Sequence, residues 1–292
     1  MESIRKMFEI TENTKIAVSD YDSDYSGQYN KENSKEILND FKEELKDLQE
    51  KLFATKPNAV LIILQAMDAA GKDSAIEHVM GGINPMGCKV HSFKQPTQLE
   101  LEHDFLWRHY IALPERGIIG IHNRSHYENV LVCKVHPELV LQEAVNSYKT
   151  VEDIPADFWE KRYESIRNFE KHLVNNGTLI LKFFLHVSKK EQKERFLERI
   201  EDPAKNWKFS AGDLEERKHW KDYMEAYEKA ISETATKDAP WYIIPADKKW
   251  FARIAIISIL VEKMKTLDLN FPRLSEKEED ELKECKRSLL DD

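Results

Sequence analysis

The 292-residue chain has only three cysteines, Cys88, Cys133 and Cys285. They lie far apart, show no C-x-x-C spacing and leave one unmatched in any pairing. A disulfide framework and a cysteine zinc site are therefore excluded, and a reducing, cytoplasmic setting is expected. Long apolar runs are equally scarce. The opening Met-Glu-Ser-Ile-Arg-Lys-Met-Phe-Glu-Ile has no apolar segment of signal-peptide type. The most membrane-like run, residues 251–261, is interrupted by Arg253 and falls short of the ~20 residues a hydrocarbon layer demands. It reads as a core helix, and no membrane partner is expected. Excess positive charge is also missing. With 44 Lys and Arg against 53 Asp and Glu, the formal net charge is −9, which argues against nucleic acid as a partner, because that affinity rests on cations at the phosphates. No internal repeat is present. What remains is a globular composition, 41% apolar and 33% charged, at a length suited to one large α/β domain or two smaller ones.

Residues 11–33 are polar, rich in Asp, Ser, Tyr and Asn, and lack a period of 2 or 3.6, so they are expected to form an extended arm. Asn33 and Glu36 then make a capping-box signature, followed by Ile37, Leu38, Phe41, Leu45, Leu48 and Leu52 at helical spacing. Residues 58–65 are apolar at successive positions, the mark of a central parallel strand covered on both faces. Further strands are expected at 88–93, 118–122, 178–187 and 241–245. Helices are expected at about 73–81, 97–110, 125–133, 158–175, 189–200, 213–235 and 248–265. This alternation predicts a three-layer α/β/α sandwich around a parallel five-stranded sheet. Residues 274–292 hold eight acids and four bases and read as a solvated helix or tail.

The chemistry concentrates after the first strand, in Gln65-Ala-Met-Asp-Ala-Ala-Gly-Lys-Asp-Ser74. A small-residue turn between a buried strand and a helix aims backbone N–H groups and the positive helix end at one point, and an anionic phosphate fits there. Ala69, Ala70, Gly71, Lys72, Asp73 and Ser74 are the candidate phosphate-binding residues, with Lys72 adding a mobile full charge. The match to G-x-x-x-x-G-K-[ST] is imperfect: Ala66 replaces the first Gly and Asp73 stands where a hydroxyl residue would hold magnesium. Asp68 inside the turn is a candidate ligand for Mg²⁺. A plain strand-to-helix turn with an exposed Lys is the alternative.

The strand at 118–122 ends in a polar cluster, and the carboxyl ends of parallel strands are where ligands collect. Asn123, Arg124 and Glu128 should therefore face the turn. The neutral Asn123 occupies the place of a metal-binding Asp, and Glu128 is the candidate to supply the missing charge; helix capping by Ser125 or Asn123 is the bland alternative. His122 and His126 share i, i+4 spacing but lack a third ligand, so they read as packing residues. Residues 182–221 hold 11 Lys and Arg against 8 Asp and Glu, a local excess of cations in an acidic chain. Pro203 and Gly212 interrupt the helical period around Lys205, Trp207 and Lys208, so the segment about 195–225 reads as a lid able to close over a polyanion. Arg195, Arg199, Lys205, Lys208 and Arg217 are its candidate cations, extended by Lys248, Lys249 and Arg253. The Trp220, Tyr223, Tyr227 stripe reads as core.

The combination Met67-Asp-Ala-Ala-Gly-Lys-Asp73, Asn123-Arg-Ser-His-Tyr-Glu128, Asn206-Trp-Lys-Phe-Ser210 and Ala239-Pro-Trp241 with Ala246-Asp-Lys-Lys-Trp250 resembles the polyphosphate kinase 2 family. The resemblance covers roughly residues 30–270. It implies a P-loop kinase-like domain at 33–273 with a helical lid, flanked by an arm at 1–32 and an acidic tail at 274–292. It further implies phosphoryl transfer from inorganic polyphosphate to AMP or ADP, reversible, with Mg²⁺ and a homo-oligomeric assembly, dimer or tetramer. Adenine nucleotides are the implied acceptors, with guanine nucleotides left open. Asp68 and Lys72 resemble the acid and base of the family's Walker A loop, and Asn123, Arg124 and Glu128 fall in its Walker B region. Asp68, Lys72, Arg124 and Glu128 are thus the candidate catalytic residues, with Asp68 and Glu128 as metal ligands. Asn123 is similar to the subgroup that accepts both mono- and diphosphates, and His122 departs from a common Phe. An ATP-dependent kinase of a nucleotide or other small molecule, or a non-catalytic polyanion-binding protein, are the alternative readings.

Overall fold

The computed structural model describes residues 4–12, 14–145 and 147–291. Six strands form one sheet: β1 (Glu9–Ile10), β2 (Ala59–Gln65), β3 (Cys88–Ser92), β4 (Ile119–Asn123), β5 (Thr178–His186) and β6 (Trp241–Pro245), in the order β1-β6-β5-β2-β4-β3. The five strands from β2 onward pair in parallel, as the alternation predicts. β1 is an addition: two residues near the chain start pair antiparallel with β6. Every residue of β2 is buried, and β2 lies between β4 and β5. The chain thus leaves the central strand in both directions across the sheet. A crevice at the carboxyl end of β2 follows from that reversal.

Helices of eight or more residues are α1 (Ser34–Thr55), α2 (Lys72–Val79), α3 (Phe158–Asn175), α4 (Lys189–Glu201), α5 (Ala211–Lys218), α6 (Trp220–Thr234), α7 (Lys249–Lys265) and α8 (Glu276–Asp291). α1, α2 and α7 pack together, while α3 and α6 pack together beside β5. α7 buries eleven of its residues, as a helix read as core should. The predicted helix at 97–110 is broken into Gln98–Leu101 and Trp107–Tyr110, and that at 213–235 divides at His219, whose ψ of 20° interrupts the helix. The capping box at Asn33 does not form. Asn33 is itself helical in backbone, and its N–H is met by Asn30 Oδ1 at 3.0 Å.

The segment before α1 lies on the body of the protein. Phe8, Ile10, Ile16 and Val18 are buried in the core, and Phe8 and Tyr25 meet Phe251 of α7 edge-on. Polar contacts reinforce this. Asp247 N–H donates to the Ser23 carbonyl at 3.0 Å, Ser23 Oγ to Asp247 Oδ2 at 3.0 Å, and Lys248 Nζ to the Asp24 carbonyl at 2.6 Å. Asp247 Oδ1 also accepts the N–H of Ser188, the N-cap of α4. α8 buries no residue. No helix among the described residues is long and apolar enough to cross a membrane.

Candidate active site

The turn at 66–71 joins β2 to α2 through two left-handed residues, Ala69 at φ 60° and Gly71 at φ 105°. The second is a conformation that side chains other than glycine resist. Gly71 is the N-cap of α2, so the helix opens with free N–H groups at the turn. Lys72 folds back across it and donates Nζ to the Ala66 carbonyl at 2.9 Å. Burial, then the Arg124 guanidinium, pushes the Lys72 ammonium down to about 8, against the pull of Asp68, Glu128 and Asp73.

Arg124 stands at the end of β4 with φ 62°, another strained backbone, and its N–H reaches the Leu64 carbonyl at 3.1 Å. Its guanidinium bridges Asp68 Oδ1 at 2.8 Å and Glu128 Oε2 at 3.0 Å. Glu128, then Asp68, raises its already high pKa. The sequence reading brings Asp68, Lys72, Arg124 and Glu128 together; Asp68, Arg124 and Glu128 line one crevice, and Lys72 is bonded to Ala66 in its wall. Asn123 also faces the loop, one residue beyond Lys72: its amide donates to Asp73 Oδ1 at 2.7 Å and to Ser92 Oγ at 3.3 Å. Ser74 Oγ accepts from Arg253 at 2.8 Å, which sets Arg253 against the first turn of α2. Burial lowers the pKa of Arg253, and burial, then Arg195, lowers that of Lys249.

The remaining candidate cations divide by environment. Arg195 is 4% exposed and donates to four backbone carbonyls: Ala69 (3.0 Å) and Ala70 (2.7 Å) in the turn, Ala246 (2.6 Å) and Asp247 (2.9 Å) after β6. It also pairs with Glu191 at 2.8 Å. Arg217 reaches Gln192 Oε1 at 2.6 Å, and Gln192 in turn holds the Asp68 carbonyl at 2.9 Å. Arg199 lies 3.7 Å from Asp213, and Lys248 is tied to Asp24. Lys205 pairs with Glu198 and Asp202 beside the solvent, and Lys208 lies over the ring of Trp207, which is 78% exposed.

Three further residues of this crevice, Glu216, Tyr223 and Tyr227, were not legible as site residues. Asp68, Arg124 and Glu128 line a space of only about 20 Å³ together with Glu216 of α5 and Tyr223 and Tyr227 of α6. That is room for about one water. Tyr223 donates its hydroxyl to Glu216, which also meets His136 Nε2 at 2.9 Å. Tyr227 is buried and stacks on Phe184 at 4.2 Å. The stripe is core along one edge and cavity wall along another, and helical spacing alone carries no signal for the second. His122 and His126 are fully buried, with Nε2 facing the Ala112 carbonyl at 3.2 Å and Glu170 at 3.4 Å respectively.

Comparison with known proteins identifies the family. A family model described as polyphosphate kinase 2 matches residues 28–272. The ADP-polyphosphate phosphotransferase of Rhodopseudomonas palustris is 50% identical over 286 residues, 98% of each chain. The AMP/ADP-polyphosphate phosphotransferase of Meiothermus ruber is 48% identical over 229 residues, 78% of this chain and 80% of that one. The crystal structure of polyphosphate kinase 2 from Arthrobacter aurescens TC1 superposes with a TM-score of 0.86 at 38% identity, covering 96% of both chains. Matched by the family model over most of its length and by a full-length relative from end to end, the chain belongs to the polyphosphate kinase 2 family.

Proposed function

We propose that this protein transfers a phosphoryl group from inorganic polyphosphate to AMP or ADP, giving ADP or ATP. The observation that carries the reading is the Asp68–Arg124–Glu128 chain of ion pairs laid across the turn that holds Lys72, in a member of this family. A terminal phosphate oxygen of the acceptor attacks the terminal phosphorus of the chain. The bond to the bridging oxygen breaks, and polyphosphate leaves one phosphate shorter. The attacking oxygen is already anionic, so no strong general base is required, and positioning with charge neutralisation must supply the rate. The N–H groups at the start of α2 and Lys72 hold phosphate oxygens, while Arg124 leaves its carboxylate partners to meet charge on the transferring group.

Two carboxylates suit a hard divalent cation, and Asp68 and Glu128 each give Arg124 one oxygen and keep a second. These residues would hold Mg²⁺, which when bound would supply charge neutralisation between donor and acceptor phosphates. Among the described residues no three His, Cys, Asp or Glu side chains converge as a complete metal site. The rest of the coordination of Mg²⁺ would come from water and phosphate oxygens. With so little space beneath Glu216, entry of a nucleotide to this crevice requires α5 to lift, which is the behaviour of a lid. The test is direct: polyphosphate as sole donor with AMP or ADP and Mg²⁺. ADP and ATP formed without added ATP support the reading. Product only when ATP is the donor, or binding without product, refutes it.

A further inference from the structure

Beneath Arg124 and Glu128 lies a group of ionisable side chains that phosphoryl transfer does not directly use. Lys182 of β5 and Glu170 of α3 are 0% and 1% exposed, with Nζ and Oε2 2.6 Å apart. Lys182 gives its other two protons to the Tyr127 hydroxyl at 3.1 Å and the Thr234 carbonyl at 2.8 Å. The Tyr127 hydroxyl donates to Glu170 Oε1 at 2.7 Å. Thr234 Oγ1 donates to the Ala230 carbonyl at 2.6 Å and accepts from Trp241 Nε1 at 2.9 Å. Hydrogen bonding at Lys182 is therefore complete. Such a pair adds little net stability, because the cost of desolvating two charges offsets their attraction and apolar residues of similar volume would fill the space as well.

What the pair holds is more informative. Tyr127 precedes Glu128 in the single turn His126–Asn129. The backbone of that turn is fixed by Ser125 Oγ, which accepts the Tyr127 N–H at 3.2 Å and the Gln65 amide at 3.0 Å. Its far side is held by the Tyr127 phenol, on Glu170, Lys182 and Thr234 Oγ1 (3.0 Å), by His126 Nε2 facing the same Glu170 at 3.4 Å, and by the Asn129 carbonyl, which accepts from Arg162 at 3.0 Å. Glu170 thus meets two of the turn's four side chains. Upstream stands Arg124 at φ 62°, a conformation that the surrounding contacts must enforce. Thr234, the last residue of α6, joins the same group, and earlier turns of α6 carry Tyr223 and Tyr227 to the cavity. The network thus spans both walls of the crevice from below.

We propose that the buried Lys182–Glu170 pair positions Tyr127, and through it the Glu128 and Arg124 side chains, for phosphoryl transfer; the kinetic arm of the test rests on the proposed function, the structural arm does not. The variant Lys182→Met/Glu170→Leu replaces the pair by apolar groups, avoiding the lone buried charge that either change alone would leave. It should fold, with amide hydrogen exchange across residues 124–129 at least tenfold faster and exchange in β2 unchanged. Its kcat should fall at least tenfold while KM for the nucleotide stays within threefold. Lys182→Met/Glu170→Gln returns an acceptor to the Tyr127 hydroxyl and should recover part of both losses. Tyr127→Phe should move both readouts in the same direction, and it decides the matter if the pair variants do not fold. Either readout left unchanged overturns the proposal. If the parent makes no product from polyphosphate, the functional reading fails on its own and the exchange measurement still decides this one.

Discussion

Arg195 is the cation whose role the structure separates most sharply from that of a ligand for polyphosphate. Replacing it with Met keeps the stem and removes a guanidinium that serves four carbonyls and Glu191. Each buried acceptor stripped of its partner costs about 1–3 kcal/mol, less where water can reach it. A total of at least about 3 kcal/mol is expected, in the range for breaking a buried charged contact. For a chain of this size that corresponds to a fall in Tm of at least about 6 °C, read by calorimetry or circular dichroism. The turn bearing Asp68 and Lys72 loses its anchor to the end of β6, so kcat should fall along with Tm. An Arg195→Met protein that melts within 2 °C of the parent, and whose defect is confined to KM for polyphosphate, would refute the reasoning and return Arg195 to the substrate-binding cations.

Lys72→Ala should lower kcat/KM by about 10³-fold and Asp68→Asn by about 10²-fold with little change in Tm, since the proposed mechanism uses both at the transferring group; near-normal activity in either removes the assignment. Because the Lys72 ammonium is pushed down to about 8, kcat/KM in the parent should decline as pH rises through that value, when the free enzyme loses the charge. The fully buried His122, pushed down to about 4 by burial and by nearby His126 and His91, stays neutral in the fold while the unfolded chain takes up a proton below about 6.5. The folded state is favoured above that pH, and about 3 kcal/mol from this residue is lost as pH falls from 6.5 toward 4; denaturant titrations at pH 7 and pH 5 check the sign, and equal stabilities would contradict it. Lys205→Ala and Lys208→Ala, at solvent-exposed positions of the proposed lid, should change Tm by no more than about 2 °C while raising KM for polyphosphate several-fold, and an unchanged KM would remove both from the donor's path.

The parallel sheet was legible because β2 is apolar at six successive positions, 59–64, a pattern that burial on both faces explains. The turn after it was legible because small residues, Gly71 and Lys72 sit at a strand-to-helix junction. β1 escaped notice: two residues cannot display a period, and their pairing with β6 depends on chain more than two hundred residues away. Glu216, Tyr223 and Tyr227 escaped for a different reason. Helical spacing reports which residues share a face but not whether that face meets a core or a cavity. The cations were found as a group and could not be sorted, because Arg195 bound to carbonyls and Lys208 beside solvent carry the same charge in the sequence. Only the tertiary partners distinguish them.

The start of the chain bears on how the enzyme can be handled. Ser23, Asp24 and Ser26 grip Asp247 and Lys248, and Asp247 in turn receives the N–H that opens α4, the helix bearing Gln192 and Arg195. Trimming the first 26 residues as dispensable would therefore slacken the mooring of the turn at 66–71. An affinity handle belongs at the opposite terminus, beyond the fully exposed α8, where it disturbs no contact on which catalysis depends.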